Sequence, residues 1–186
     1  MSIVLNNISK SYGGRQVLEN LSFEIPDSGI FGIFGGSGCG KTTLIRIICG
    51  LEKSDGGSVS GAGKFSVVFQ EDRLMPTMTA LENVTAVSDL ETAKKCLEKV
   101  GLADSFGKYP SELSGGMSRR VAVARALAFD AQALILDEPF KGLEAELKEK
   151  IGSIICEYAK TKPVILVTHD EYGMSLADDS VTLERQ

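Results

Sequence analysis

The stretch GGSGCGKTT, residues 35–43, constrains this chain more than any other. It follows the apolar run GIFGIF at 29–34 and opens the helical pattern Leu44, Ile45, Ile47, Ile48, so it reads as strand, loop, helix. Gly35, Gly40, Lys41 and Thr42 fit the phosphate-cradle spacing GxxxxGK(S/T). Backbone N–H groups can wrap a triphosphate only where no Cβ blocks the approach, and Gly35, Gly36, Gly38 and Gly40 permit this, with Ser37 and Cys39 between them. The first helical turn, which includes Thr43, aims unsatisfied N–H groups and its positive dipole end at the anion. Lys41 adds a mobile charge for the outer phosphates, and Thr42 a hydroxyl for Mg²⁺. The loop alone leaves open which phosphoryl reaction follows.

At 186 residues the chain suits one domain spanning 1–186 with a full core. A formal net charge of −5 argues against a basic face for nucleic acid, and no nucleic-acid partner is expected. Cys39, Cys49, Cys96 and Cys156 lack paired metal-ligand spacing and read as reduced thiols. Cys39, beside Lys41 and a helix start, is expected to react faster than Cys49 or Cys156, which fall in apolar patterns. No apolar run approaches the roughly 18 residues of a membrane span, the best candidate at 121–136 being broken by Arg125, Asp130 and Gln132. The start, MSIVLNNISKSYGG, lacks the regions of a signal peptide. A membrane role would therefore run through a partner.

In chain order, residues 3–8 and 21–25 read as strands with SYGGR as a turn between them, and Tyr12 sits in that turn. Residues 54–63, SDGGSVSGAG, read as a turn-rich connection, and FSVVF at 65–69 as a buried strand leading to Gln70. A short helix fits 79–86. A clearer one starts at Ser88, where Ser88 and Glu91 form a capping box and Leu90, Ala93, Leu97 and Val100 share a face. The loop YPSELSGG at 109–116 delivers a helix from about Met117 to Ala128, whose start carries Ser114, Gly115 and Gly116, a second anion site without a lysine. ALIL at 133–136 and VILV at 164–167 are continuous apolar runs of the kind buried on both faces of a parallel sheet. The first leads to Asp137 and Glu138, the second to Thr168 and the sole histidine, His169. Leu143, Leu147, Ile151, Ile154 and Tyr158 mark an amphipathic helix between them. Three strands thus deliver polar residues to one sheet edge, where open α/β folds bind ligands. In a nucleotide triphosphatase Asp137 would take the Mg²⁺ shell, leaving Glu138 to orient or deprotonate a water.

Together these residues resemble the ATP-binding subunit of an ABC transporter over nearly the whole chain. LSGGM at 113–117 is similar to the family signature LSGGQ, lies between the phosphate loop and DEP at 137–139, and is followed by the family-like RRVAVARAL. The resemblance implies a P-loop NTPase of the α/β class: a RecA-like, mostly parallel core sheet, an N-terminal antiparallel β subdomain, and a helical signature subdomain at roughly 71–130. It also implies ATP as substrate and Mg²⁺ as cofactor. Tyr12 would stack on adenine, Gln70 meet Mg²⁺ and the lytic water, Glu138 act as general base and His169 contact the γ-phosphate, beside Lys41. Ser114, Gly115 and Gly116 of one subunit would close over ATP held by a second subunit, head to tail. Further implied partners are transmembrane permease subunits docking near residues 70–84 and a solute-binding protein, which places the chain at the cytoplasmic face of the membrane. The segment QEDRLMPTMTALENV at 70–84 looks most like importer subunits for nitrate, sulfonate or taurine-type solutes.

Three departures from the family pattern stand out. Met117 replaces a glutamine, KGLE at 141–144 stands in place of SALD, and no regulatory C-terminal domain is expected after 181–184. The alternatives are a separate-subunit exporter or a non-transport ABC ATPase. A module that binds ATP without cleaving it would have no need of both Glu138 and His169.

Overall fold

The computed structural model describes residues 2–61 and 63–185; Met1, Gln186 and Ala62, the last within the stretch read as turn-rich, lie outside them. Strands β1 (Ile3–Tyr12) and β2 (Arg15–Ile25) form a hairpin closed at Tyr12 and Arg15 around Gly13 and Gly14. Strand β3 (Ile30–Phe34) runs into the phosphate loop and α1 (Lys41–Ile48). Next come β4 (Gly56–Ser60) and β5 (Phe65–Val68), then α2 (Ala80–Thr85), α3 (Leu90–Lys99) and α4 (Gly115–Ala128). The remainder is β6 (Ala133–Asp137), α5 (Ala145–Ala159), β7 (Val164–Val167), α6 (Glu171–Ser175) and β8 (Asp179–Thr182).

Two sheets result. One is antiparallel with order β2-β1-β4; the other has order β5-β6-β7-β3-β8 with every pairing parallel. Strands β3, β6 and β7 are buried throughout, as their unbroken apolar runs require. Alternation along them divides the core in two. Leu134, Leu136, Val164 and Leu166 face the layer built from α2 to α5, while Ala133, Ile135, Ile165 and Val167 face α1 and the antiparallel sheet. Parallel alignment puts the ends of β3, β5, β6 and β7 at one edge, so the residues following Phe34, Val68, Leu136 and Val167 gather there.

The structure corrects several sequence expectations. The stretch at 54–63 is not only turn: Gly56–Ser60 pairs with β1, its strand character masked by glycine and serine and by a register shift between Asn6 and Ser9. The cap of α3 is Asp89, not Ser88. Asp89 has the extended backbone of a cap, and its carboxylate accepts from Thr92 N at 2.9 Å and Thr92 Oγ1 at 2.7 Å, whereas Ser88 Oγ donates back to Val84 O. Leu90 is accordingly exposed, while Ala93, Leu97 and Val100 reach the core. Helix α4 begins two residues earlier than read, with Ser114 as N-cap accepting from Met117 N at 3.2 Å. Among the described residues no helix is long and apolar enough to cross a membrane.

Candidate functional site

The phosphate loop is shaped by its two end glycines. Gly35 has φ +139, and a Cβ there would come within 2.4 Å of Leu183 O; Gly40 has φ +98, and a Cβ would meet Leu18 and Val17 of β2 at under 3 Å. Both positions combine a left-handed backbone with a close approach, so only glycine fits. Helix α1 then starts at Lys41 with no acidic residue in its first turn, which leaves its positive end free for an anion. Lys41 Nζ donates to Gly35 O at 2.6 Å and Gly36 O at 2.9 Å, so the ammonium lies folded over the loop.

A cleft of about 370 Å³ runs along this sheet edge, lined by Tyr12, Ser37, Gly38, Gly40, Lys41, Thr42, Thr43, Gln70, Asp137, Glu138 and His169. The elements that carry them explain the convergence: Tyr12 ends β1, Lys41 to Thr43 open α1, Gln70 follows β5, Asp137 ends β6, and His169 follows β7. Val17 and Lys141 also line the cleft and were missed from the sequence. Val17 looked like any strand residue, and Lys141 stood out only as part of a departure from the family pattern. The Tyr12 hydroxyl donates to Glu52, just beyond the end of α1.

Asp137 is 3% exposed, and among the described residues its Oδ2 has no hydrogen-bond partner. Burial pushes its carboxyl up and the Glu138 charge adds to this, against the opposing pull of the Lys41 and Arg119 cations and the Thr42 hydroxyl. A buried, orphaned carboxylate oxygen beside a threonine hydroxyl is a donor set that fits a hard divalent cation. Glu138 has a left-handed backbone, φ 54, unusual for a residue with a Cβ and costing about 1 kcal/mol or more. Its N–H donates to Val167 O at 2.8 Å; its carboxylate accepts from Thr168 Oγ1 at 3.3 Å and lies 2.6 Å from His169 Nδ1. The neighbouring chain is pinned by Asp170, which caps α6 and pairs with Lys148 of α5.

Not every expected residue enters the cleft. Gly35 and Gly36 contribute loop backbone behind it. Cys39 is 3% exposed, its sulfur tucked under the loop near Gly35, so the structure opposes the accessible, reactive thiol expected from the sequence. Ser114 and Gly115 are exposed at the start of α4 and are not among the residues lining the cleft; Gly116 packs against the 141–144 segment, where a Cβ would lie 3.3 Å from Gly142 O. Met117 packs at the border of the helical core. In the same segment Glu144 occupies the N-cap position of α5 without a side-chain capping bond.

The family model described as ABC transporter matches residues 18–141. The chain belongs to the ABC transporter family. It is 39% identical over 185 residues to the aliphatic sulfonates import ATP-binding protein SsuB 3 of Paraburkholderia xenovorans, covering 96% of this chain and 75% of that protein. It is 36% identical over 207 residues to the probable sulfate/thiosulfate import ATP-binding protein CysA of Chlorella vulgaris, covering 99% and 88%. Among solved structures, the dimeric ATP-binding cassette MJ0796, in a post-hydrolysis state bound to ADP and Pi, superposes with a TM-score of 0.91 at 30% identity, covering 99% of this chain and 96% of that one. The fold is that of an ABC ATPase cassette, and the activity that goes with it is ATP hydrolysis.

Proposed function

We propose that this chain, working as one ATP-binding domain over residues 1–186 with a helical arm at roughly 71–130, drives an importer of sulfonate- or sulfate-type oxyanions from the cytoplasmic face of the membrane. The names of its relatives support the solute class, and one observation carries the site: Lys41, Gln70, Asp137, Glu138 and His169 line a single cleft at one sheet edge. The loop N–H groups and the start of α1 take the phosphates, Lys41 neutralises the outer ones, and Tyr12 offers its ring to adenine. Thr42, Gln70 and Asp137 would hold Mg²⁺, which when bound supplies positive charge to the phosphate oxygens. Glu138 accepts the proton of the attacking water, and His169 donates to the γ-phosphate. Its pairing with Glu138 keeps the base oriented before nucleotide arrives.

The site is completed by a second copy. Ser114 and Gly115 present an exposed helix start to a partner's nucleotide, so each dimer buries two ATP molecules between its subunits. The γ-phosphate then favours the closed state because only that state contacts it from both sides. Permease subunits would dock near residues 70–84, with a solute-binding protein completing the assembly.

The shared site is tested by mixing. Lys41→Ala and Ser114→Arg each disable both sites of a homodimer, but a mixed dimer retains one intact site. With statistical mixing and independent sites, activity returns to about one quarter of wild type, as a C₂ interface requires. Once crosslinking has shown mixed dimers, activity no higher than the single variants alone overturns the shared site. For the solute class, the assembly reconstituted with its permease should hydrolyse ATP faster when the binding protein carries a sulfonate or sulfate, and a rate indifferent to both refutes that assignment.

A further inference from the structure

Helix α4 holds the chain that leaves β5 by side chains reaching main-chain oxygens. Arg119 is 5% exposed; its Nη1 donates to Phe69 O at 2.7 Å, its Nη2 donates to Gln70 O, and its Nε lies 3.1 Å from Asp72 Oδ1. Farther along the same helix Arg125 donates to Arg73 O and Asp72 O, each at 3.0 Å. Two guanidinium groups thus take the carbonyls of Phe69, Gln70, Asp72 and Arg73. This stretch belongs to no strand, and at Arg73 it turns through a left-handed backbone, φ 46. Burying a guanidinium is costly unless its donors are met, and an apolar side chain would fill the same space at lower cost. What the planar fork adds is direction. It fixes two successive carbonyls at once, which a lysine ammonium on a flexible stem does poorly.

We propose that Arg119 is a positioning residue for ATP hydrolysis: it ties the Gln70 backbone to α4, so that Gln70 at one nucleotide and the exposed Ser114 end of the same helix, facing the other nucleotide, move as one body. The inference rests on the reading of Gln70 as a group that reaches the bound nucleotide. A shift of α4 when its N-terminus engages a partner's ATP is then carried along a rigid helix to the opposite site. Displacement of about 1 Å at a reacting centre is enough to cost roughly a hundredfold in rate.

The test uses the full chain as Arg119→Lys, Arg119→Met, Gln70→Ala and the double variant Arg119→Lys with Gln70→Ala, with ATP turnover, ATP affinity and amide exchange measured for each. Both Arg119 variants should lose about tenfold to a hundredfold in kcat, with KM for ATP changed less than about twofold, the pattern of an interaction needed only for the reaction. Exchange should quicken at 70–73 and stay unchanged in β6 and β7. The double variant should be no slower than Gln70→Ala alone. If Gln70→Ala is slow but Arg119→Lys matches wild type, the inference is overturned; if Gln70→Ala itself turns over normally, the reading of Gln70 falls and the inference with it. A parallel rise in KM and faster exchange throughout the chain would reduce Arg119 to a folding role and also overturn it. Should Arg119→Met not fold, Arg119→Lys, which keeps the buried charge, decides the matter.

Discussion

Strand β7 ends at Val167 with all its residues buried and a parallel ladder on either side, whereas the chain that leaves β5 at Phe69 belongs to no strand until α2 begins at Ala80. Both border the same cleft. The first is held by apolar burial and ladder bonds, which are many and interchangeable. The second is held by a few directed contacts: Arg119 and Arg125 on four carbonyls, and Asn83 on Met75, Met78 and Thr79. The difference separates a preset half of the site, carrying Asp137, Glu138 and His169, from an adjustable half carrying Gln70. Losing one contact in the sheet weakens the whole fold; losing one in the Gln70 segment frees that segment first.

The largest effect should come from chemistry at the preset half. Glu138→Gln should lower kcat by about 10² to 10⁴ while leaving ATP binding intact and accumulating an ATP-bound dimer, seen as a shift to twice the mass on sizing with Mg-ATP. A variant that stays monomeric with ATP, or turns over normally, breaks the assignment of the base.

Stability comes next, and here the two halves should part. Leu166→Ala opens a cavity in a fully buried strand and should cost about 3 to 4 kcal/mol, read as a fall in urea midpoint with every probe moving together. Asn83→Ala removes the side-chain bonds to the Met75 N–H and to the Met75, Met78 and Thr79 carbonyls, of which Met75 O and Thr79 O keep a backbone donor. It should cost about 2 kcal/mol, with faster exchange confined to 75–83 at low denaturant. Equal and uniform loss from both variants would erase the distinction between the halves.

A smaller, pH-dependent effect should appear where the His169 loop meets α5. The Lys148 hydrogen bond and charge hold the Asp170 carboxyl below the usual aspartate range. For a depressed carboxyl the stabilisation is present above the unfolded pKa and lost as pH falls through the folded one. Lys148→Met should therefore lower Tm modestly at pH 7, and the gap to wild type should close as the pH is taken below the ordinary aspartate value. A gap independent of pH would show that Lys148 acts through its methylene packing alone.

Much of the preset half was legible in the sequence because strands buried on both faces write themselves as unbroken apolar runs, and ALILDE and VILVTH announce both strand and edge residues. The end glycines of the loop, Gly35 and Gly40, were legible because a positive φ and close neighbours leave no room there for a Cβ. Strand β4 was hidden because GGSVS carries one apolar residue and pairs through a register shift. The α3 cap was misplaced by one position because Ser88 and Asp89 both carry capping side chains, and only backbone geometry chooses between them. The grip of Arg119 left no trace, since its partners are carbonyls that every residue possesses. Cys39 misled because proximity in sequence to Lys41 says nothing about which side of the loop the sulfur takes.

With Glu138 as the proposed base, its left-handed backbone sets activity against durability. Glycine there would relieve about 1 kcal/mol of strain, at the expense of the reaction and of the carboxylate's contacts with Thr168 and His169. Selection of this chain for heat resistance alone would thus be drawn toward inactive Glu138→Gly molecules, and a laboratory lineage keeps the residue only while turnover is scored alongside survival.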